Sequence, residues 1–425
     1  MSPEEAIALA VFLGVYAFII TERIHRTVAA MVGASLILIV GIIPWEKVPE
    51  YLDLETLLLL AGMMVIVNVS RESGLFEYIA IKTAKLSNGN PMKVLLLFSV
   101  VTAVVSAFLD NVTTVLLLTP MLLYITKRMD VNPIPFLLAE IFASNIGGTA
   151  TLIGDPPNIM IGSAAGLSFN EFLENMGPIA VANIFLTIAV VYLAYRNSIK
   201  VTPSKRKEIE RVILSMDEED AIRDWELFRK SVIVILAIVA GFFLHDTIGV
   251  KPAIIALFGA SVMLLWSGVS PERALEKVEW ATLFFFGGLF LIVGALVETG
   301  VIDAVAGKIM ELIHSEAQAI FVISWFSAVS SAIVDNIPLT ATMIPLIKAM
   351  GSSVNTYPLW WALSLGACLG GNGTAIGASA NVVVLGIAHR EGIKITFGEF
   401  LKVGALIMVS TVALGSLILW VRYGL

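Results

Sequence analysis

Four carboxylates of this chain fall inside apolar stretches: Asp110, Glu140, Asp155 and Asp335. A charge at bilayer depth costs about 3 kcal/mol or more, so such a group normally faces a cavity or an ion path. Two of the four recur in a pattern. FLDNVTTVLLLTP at 108–120 returns as IVDNIPLTATMIP at 333–345, each an Asp-Asn pair in an apolar run with a Pro nine residues after the Asn. A second echo follows each copy: GGTATLIGDPPN at 147–158 matches GGNGTAIGASAN at 370–381, with two Gly, then Thr, Ile, Gly and Asn in register. The chain reads as a duplicated unit, and each half interrupts its apolar segments with glycines and polar residues. In a membrane protein that pattern points to a site where repeats meet.

The chemistry these residues suit is ion binding. Gly147, Gly148, Gly154, Pro156 and Pro157 oppose a continuous helix, and a broken backbone frees carbonyl oxygens, hard ligands for Na⁺. Asn111, Thr113, Thr114, Thr149, Thr151 and Asn158 add side-chain oxygens and amides, and Asn336, Thr340, Asn372, Thr374, Ser379 and Asn381 do so in the second half. A cation site is expected from Asn111 and Thr114 with backbone oxygens near Gly154 and Asn158. Its partner would use Asn336, Thr340, Gly377 and Asn381. Ala378 stands where Asp155 would be, so the first site should bind a cation more strongly. Asp110, Glu140 and Asp335 are candidates for proton coupling, although Leu363 takes the place of Glu140 in the second half.

Other chemistries lack support. The glycine stretches follow no alternating strand and precede no Gly-Lys-Ser/Thr, so they are not phosphate loops. His25 and His389 fall at inner segment ends, His245 and His314 at outer ends, without metal-ligand spacing. The lone Cys368 excludes an intrachain disulfide and reads as a packing residue or a thiol near the site. No nucleophile–base pair is visible, so no enzyme, cofactor or nucleic-acid partner is expected; the expected partners are a small ion or solute and membrane lipid.

The elements that position these residues follow from composition. The chain has 425 residues, 58% hydrophobic and 14% charged, whereas a soluble chain carries roughly 25% charge. Apolar runs near the length of a helical span, about 20 residues, predict crossings at roughly 5–21, 27–43, 54–70, 132–164 (interrupted), 175–195, 231–247, 252–268, 281–298, 357–388 (interrupted) and 398–420. The run at 6–20 follows Glu4 and Glu5 and reads as a first span, not a signal peptide. Two further pairs, 92–109 with 111–126 and 318–334 with 336–350, meet at Asp110-Asn111 and Asp335-Asn336 without a polar loop. They read as re-entrant hairpins with buried tips. Amphipathic stretches at 75–87 and 301–314 precede them. Placing the 197–230 linker inside leaves only Lys47, Lys251, Lys308, Lys348 and Arg422 outside, five of 27 basic residues. Both ends then face out, and the halves are inverted. The expected fold is an all-α polytopic membrane protein: a first inverted repeat at 1–196, a solvated cytoplasmic linker at 197–230, and a second repeat at 231–425. Each repeat has five crossing helices, a re-entrant hairpin and an interrupted helix.

LDNVTT at 109–114 and GGTATLIGDPPN at 147–158 resemble the ion transporter superfamily over nearly the whole chain. That group includes the arsenite pump membrane subunit, NhaD-type sodium/proton antiporters, the melanosomal P protein and sodium-coupled dicarboxylate transporters. The nearest likeness is to the arsenite-pump and P-protein branch. The resemblance implies scaffold and transport domains, a homodimer and elevator-like movement, with an accessory ATPase if the protein is arsenite-pump-like. In the dicarboxylate relatives the tips carry Ser-Asn-Thr; here Asp replaces that Ser at 110 and 335, which disfavours a dianion.

The expected function is therefore secondary active ion transport in the plasma membrane, arsenite-type export coupled to H⁺ or Na⁺. A Na⁺/H⁺ antiporter and a passive anion channel are the alternatives. The topology is tested in a Cys368→Ala background. An impermeant maleimide should label Ser2→Cys in intact cells and Ser204→Cys only after permeabilisation; the reverse pattern sinks the orientation.

Overall fold

The computed structural model describes residues 2–21, 23–311, 313 and 315–424, and every regular element among them is helical. The expectation for His314 lies outside the described residues. The first half runs α1 (Pro3–Thr21), α2 (Arg26–Val40), the single turn α3 (Val48–Tyr51), α4 (Leu54–Glu72), α5 (Leu75–Leu86), α6 (Pro91–Phe108), α7 (Asn111–Met129), α8 (Ile134–Thr149), α9 (Pro156–Ala165) and α10 (Phe169–Ile199). The connector holds α11 (Pro203–Leu214). The second half runs α12 (Trp225–Ile248), α13 (Pro252–Ser267), the short α14 (Pro271–Glu276), α15 (Trp280–Glu298), α16 (Val301–Met310), α17 (Glu316–Ile333), α18 (Asn336–Met350), α19 (Tyr357–Gly370), α20 (Ser379–Arg390) and α21 (Phe397–Tyr423). The element order of the first half returns in the second.

Local chemistry sets the boundaries. Asp110 and Asp335 are the N-caps of α7 and α18, each accepting a bond from a first-turn backbone N–H. Ser168 with Glu171, and Thr396 with Glu399, form reciprocal capping boxes at the starts of α10 and α21. The second span ends earlier than expected, at Val40, because Gly41 takes φ +81° and caps the helix. The fifth span is longer than expected: α10 has 31 residues, about 46 Å at 1.5 Å per residue, so it tilts or projects beyond a bilayer core. Nine of the described helices are long and apolar enough to span a membrane, and α2, α8 and α13 are shorter apolar helices. Leu265, Ile39 and Phe258 stand 89%, 80% and 70% exposed, an outer surface that suits lipid and not water.

The packing divides the helices into two groups. One contains α1, α2, α4, α12, α13 and α15, in which α2 lies on α15 and α4 on α13. The other contains the hairpins, the broken helices, α10 and α21; here α6 packs on α8 and α17 on α19. Across the halves, α7 meets α20 and α18 meets α9. The connector is more than the solvated helix expected from its composition. Ile209 and Ile213 of α11 are buried, the helix rests on α5 and α7, and Lys85–Glu218 and Arg223–Glu77 ion pairs fasten the segment after it.

Each broken helix is pressed against the first arm of its own hairpin. A Cβ on Gly147 would sit 2.2 Å from the Ala103 carbonyl oxygen, and one on Gly370 would sit 2.4 Å from that of Ala328. Backbone cannot yield as a side-chain tip can. Gly147→Ala and Gly370→Ala should therefore each cost about 1–3 kcal/mol, outweighing the helix-propensity gain of about 1 kcal/mol. Gly386→Ala, which meets open space, should be neutral or stabilising. Melting in detergent decides; equal behaviour of the three would refute the close approach.

Candidate ion-binding site

The breaks and tips converge at the centre of the second packing group. Two bonds bolt each broken helix to its own hairpin, at equivalent positions. Ser106 donates to the Ser144 carbonyl at 2.7 Å, and Ser331 to that of Ala367 at 2.6 Å. Thr151 donates to the Ala107 carbonyl, and Thr374 to that of Ala332 at 2.6 Å. Unwound carbonyls at this depth require donors, and one asparagine in each half supplies them. The Asn158 amide nitrogen lies 3.1, 3.4 and 3.0 Å from the carbonyl oxygens of Gly148, Thr149 and Thr151. That of Asn381 lies 2.7 and 2.9 Å from those of Gly371 and Thr374.

The second tip reaches across to the opposite half, while the first bonds the broken helix of its own half. Asn336, first residue of α18, donates to both carboxylate oxygens of Asp155 at 3.2 and 3.1 Å. Asn111, first residue of α7, donates to Asn145 at 3.2 Å. Asn145 in turn donates to Asn372 at 2.9 Å and Asn381 at 3.0 Å. All six residues are at most 3% exposed. The sequence grouping of Asn111 with Asn158, and of Asn336 with Asn381, is thus not the hydrogen-bonded one: the connected groups are Asn336 with Asp155, and Asn111 through Asn145 with Asn381. The Asn158 oxygen accepts from Ser364 at 2.6 Å and faces the Cys368 sulfur at 3.5 Å, which brings that thiol to the site.

The remaining candidates divide by role. Thr113 closes on Asp110 through its backbone N–H, at 2.9 Å, and its hydroxyl. Thr149 and Thr340 bond carbonyls one turn back, Asn145 and Asn336. Gly154 and Gly377 let the breaks fold back on Gly148 and Gly371, whose carbonyls would lie 2.7 and 2.8 Å from an added Cβ. Thr114 Oγ1, Asn372 Nδ2 and Glu140 Oε1 are buried without a protein partner; the other Glu140 oxygen accepts from Thr119 at 3.0 Å.

Charge is unevenly placed. Asp155 feels the fields of Asp335 and Asp110, and Glu279 those of Asp110 and Arg26. Arg26 ion-pairs Asp335 at 3.0 Å. A cleft of ≈ 460 Å³ opens onto this corner, lined by Arg26, Glu279, Val112, Asp335 and Ser379 among others. Asp335 and Glu279 thus share one guanidinium, with Asp110 and Asp155 in the field of the same corner, an arrangement that favours cations. Sequence reasoning missed Asn145, Ser364 and the site role of Arg26. An Asn two residues before a Gly-Gly break was a readable signal for Asn145; Arg26 read only as a marker of orientation.

Asn158→Asp keeps shape and removes the donor, leaving up to three buried carbonyls unpaired and adding charge. A loss of about 1–3 kcal/mol for each unmet group is expected, read as a lower melting temperature in detergent. Asn381→Asp should behave alike. Unchanged melting of both would show that the amides do not hold the breaks.

Comparison with known proteins agrees with this architecture. The model of the citrate transporter family, CitMHS, matches residues 16–366. The chain is 42% identical to an uncharacterized transporter of Mycobacterium tuberculosis over 98% of both chains. It is equally similar, over the same shares, to a 46 kDa membrane protein of Mycobacterium leprae. It is 34% identical to the human P protein over 98% of this chain and 60% of that protein. The fold is similar to the crystal structure of the YdaH transporter of Alcanivorax borkumensis, with a TM-score of 0.61 and 16% identity over 89% and 88% of the two chains. A match over residues 16–366, most of the chain and of its hairpins, makes this chain a multi-span membrane transporter of the CitMHS family, within the ion transporter superfamily.

Proposed function

We propose that the protein is a secondary active transporter that uses H⁺ or Na⁺ to move a small inorganic solute of the arsenite type. The observation that carries this reading is the meeting of tips and breaks: Asp155 held by Asn336 from the other half, beside Asp110 and Asp335, with a cleft reaching Asp335. Carboxylates there can load a cation from one side and release it after the packing groups shift. The citrate of the family's name is the competing substrate. A multiply charged anion would meet four carboxylates and one guanidinium that Asp335 already engages, whereas an uncharged hydroxide such as arsenite at neutral pH meets no such repulsion. Na⁺/H⁺ antiport is the second reading, favoured by the unpartnered Glu140 oxygen. The hairpins are taken as re-entrant, the halves as inverted, the linker as cytoplasmic, and the working unit as a homodimer in the plasma membrane, with an accessory ATPase if the arsenite-pump likeness extends that far.

Proteoliposome flux tests the reading. Arsenite, Na⁺, citrate, succinate and chloride are each offered with and without pH and Na⁺ gradients. Uphill, saturable arsenite flux driven by a cation gradient is expected, falling about tenfold or more in Asp110→Asn and Asp335→Asn. Flux of citrate alone would replace the substrate. Chloride current down its own gradient would replace the carrier by a channel.

A further inference from the structure

Asp335 and Asp110 occupy equivalent tip positions, yet their surroundings differ. Asp110 is satisfied within its own turn by Thr113. Asp335 uses Oδ1 to accept from the Ile337 N–H at 3.2 Å, and gives Oδ2 to Arg26 at 3.0 Å and Ser379 at 2.7 Å. Arg26 also donates to Ser379 at 2.8 Å. The first tip has neither partner: Pro156 stands where Ser379 would be, and Lys251, which precedes α13 in the second half, pairs with Glu55 at 2.6 Å.

Arg26 belongs to one packing group and Asp335 to the other. The guanidinium carbon lies 5.1 Å from the Phe285 ring centre on α15, so the arginine is seated on the group of α1, α2 and α15. Asp335 caps the start of α18 and Ser379 begins α20. Local helix physics does not favour the arrangement, since a cation in the first turn of α2 opposes the helix dipole. The pair is not sealed: the Arg26 side chain is 32% exposed and that of Asp335 12%, and both line the cleft. A solvent-reached ion pair exchanges partners at small cost.

Resting on the cation-coupled reading above, we propose that Arg26 is a tethered internal cation, a latch that holds the second hairpin tip until the coupling ion displaces it from Asp335. Any shift of one packing group against the other separates the pair. Left alone, the Asp335 carboxylate would then be an uncompensated charge in a mostly buried place. Arginine does not give up its proton, so release must come from the Asp335 side, by protonation or by a second cation entering through the cleft. An unloaded carrier is thereby held, and a loaded one is free to move. His25 and Glu279 at the cleft, Asp110 and Asp155 behind the tip, and Tyr16 of α1, whose hydroxyl donates to the Pro338 carbonyl at 2.5 Å, are other titratable groups facing this corner. Arg26 acts through Asp335 and is a positioning residue, distinct from a ligand of the transported solute.

The test reads cation affinity apart from flux. Purified full-length wild type, Arg26→Gln, Arg26→Lys and Asp335→Asn are melted in detergent across a series of NaCl balanced with choline chloride, and across buffers from acid to alkaline. Binding to the folded state raises the melting temperature with ligand concentration. Removing the competing charge should lower the half-saturating Na⁺ about tenfold, or change the pH dependence of melting if the ion is a proton. Arg26→Lys should stay near wild type, and Asp335→Asn should lose the response. An Arg26→Gln protein that melts lower but keeps the wild-type half-point would make Arg26 a static brace, overturning the latch and leaving cation coupling intact. Absence of any Na⁺ or acid response in all four proteins would overturn cation coupling itself, and the latch with it.

Discussion

A peptide group that leaves a helix inside a membrane has nowhere to turn but to other protein atoms, and this structure is organised around that demand. The glycines and prolines of the two breaks expose carbonyls, and Asn158 and Asn381 meet them with a single amide each. Everything nearby depends on those two groups. The bolts from Ser106 and Ser331 set the distance to the hairpins, and the close glycine approaches become affordable only because the freed backbone is held. The tips can then present Asn111 and Asn336 to a fixed target.

Much of this was legible from residue types. The duplicated Asp-Asn tips and Gly-Gly breaks lie where the spacing put them, and the halves repeat element by element. Helix ends moved by a few residues for local reasons such as the left-handed Gly41. What the sequence did not reveal is which tip faces which break. Neighbours along the chain suggested that each tip serves its own half; Asn111 does bond Asn145 of its own half, but Asn336 crosses to Asp155, and α18 packs on α9 as well as on α19, α7 on α20 as well as on α8. That exchange is a property of three-dimensional packing, and no local pattern encodes it. Asn145 escaped notice because its equivalent is Cys368, so the duplication that singled out the other residues was silent there.

The duplication also throws the departures from it into relief. Asp155 against Ala378, Glu140 against Leu363, and Asn145 against Cys368 all place the more polar residue in the first half. Arg26, bonded to Ser379, then supplies a positive charge at the second tip. The broken helices supply the same framework twice. The substitutions concentrate negative charge on one framework and its counter-charge on the other, so the two halves are alike in fold and unlike in electrostatics. The connector adds a further asymmetry, because α11 rests on α5 and α7 and so braces the first hairpin.

The cross-half bonds have a consequence for how the molecule is made. Asn336 reaches Asp155 over 181 residues of chain, and Asn372 and Asn381 reach Asn145 over 227 and 236. Contacts of such separation form late. During synthesis the first half must enter the bilayer with Asp155 and Asn145 lacking these partners, and it stays incomplete until nearly the whole second half has emerged. The centre of the protein is therefore the last part to become native. A chain stopped before residue 336 carries a polar core with none of its cross-half partners, a species that membrane quality control can recognise by the very groups the finished protein hides.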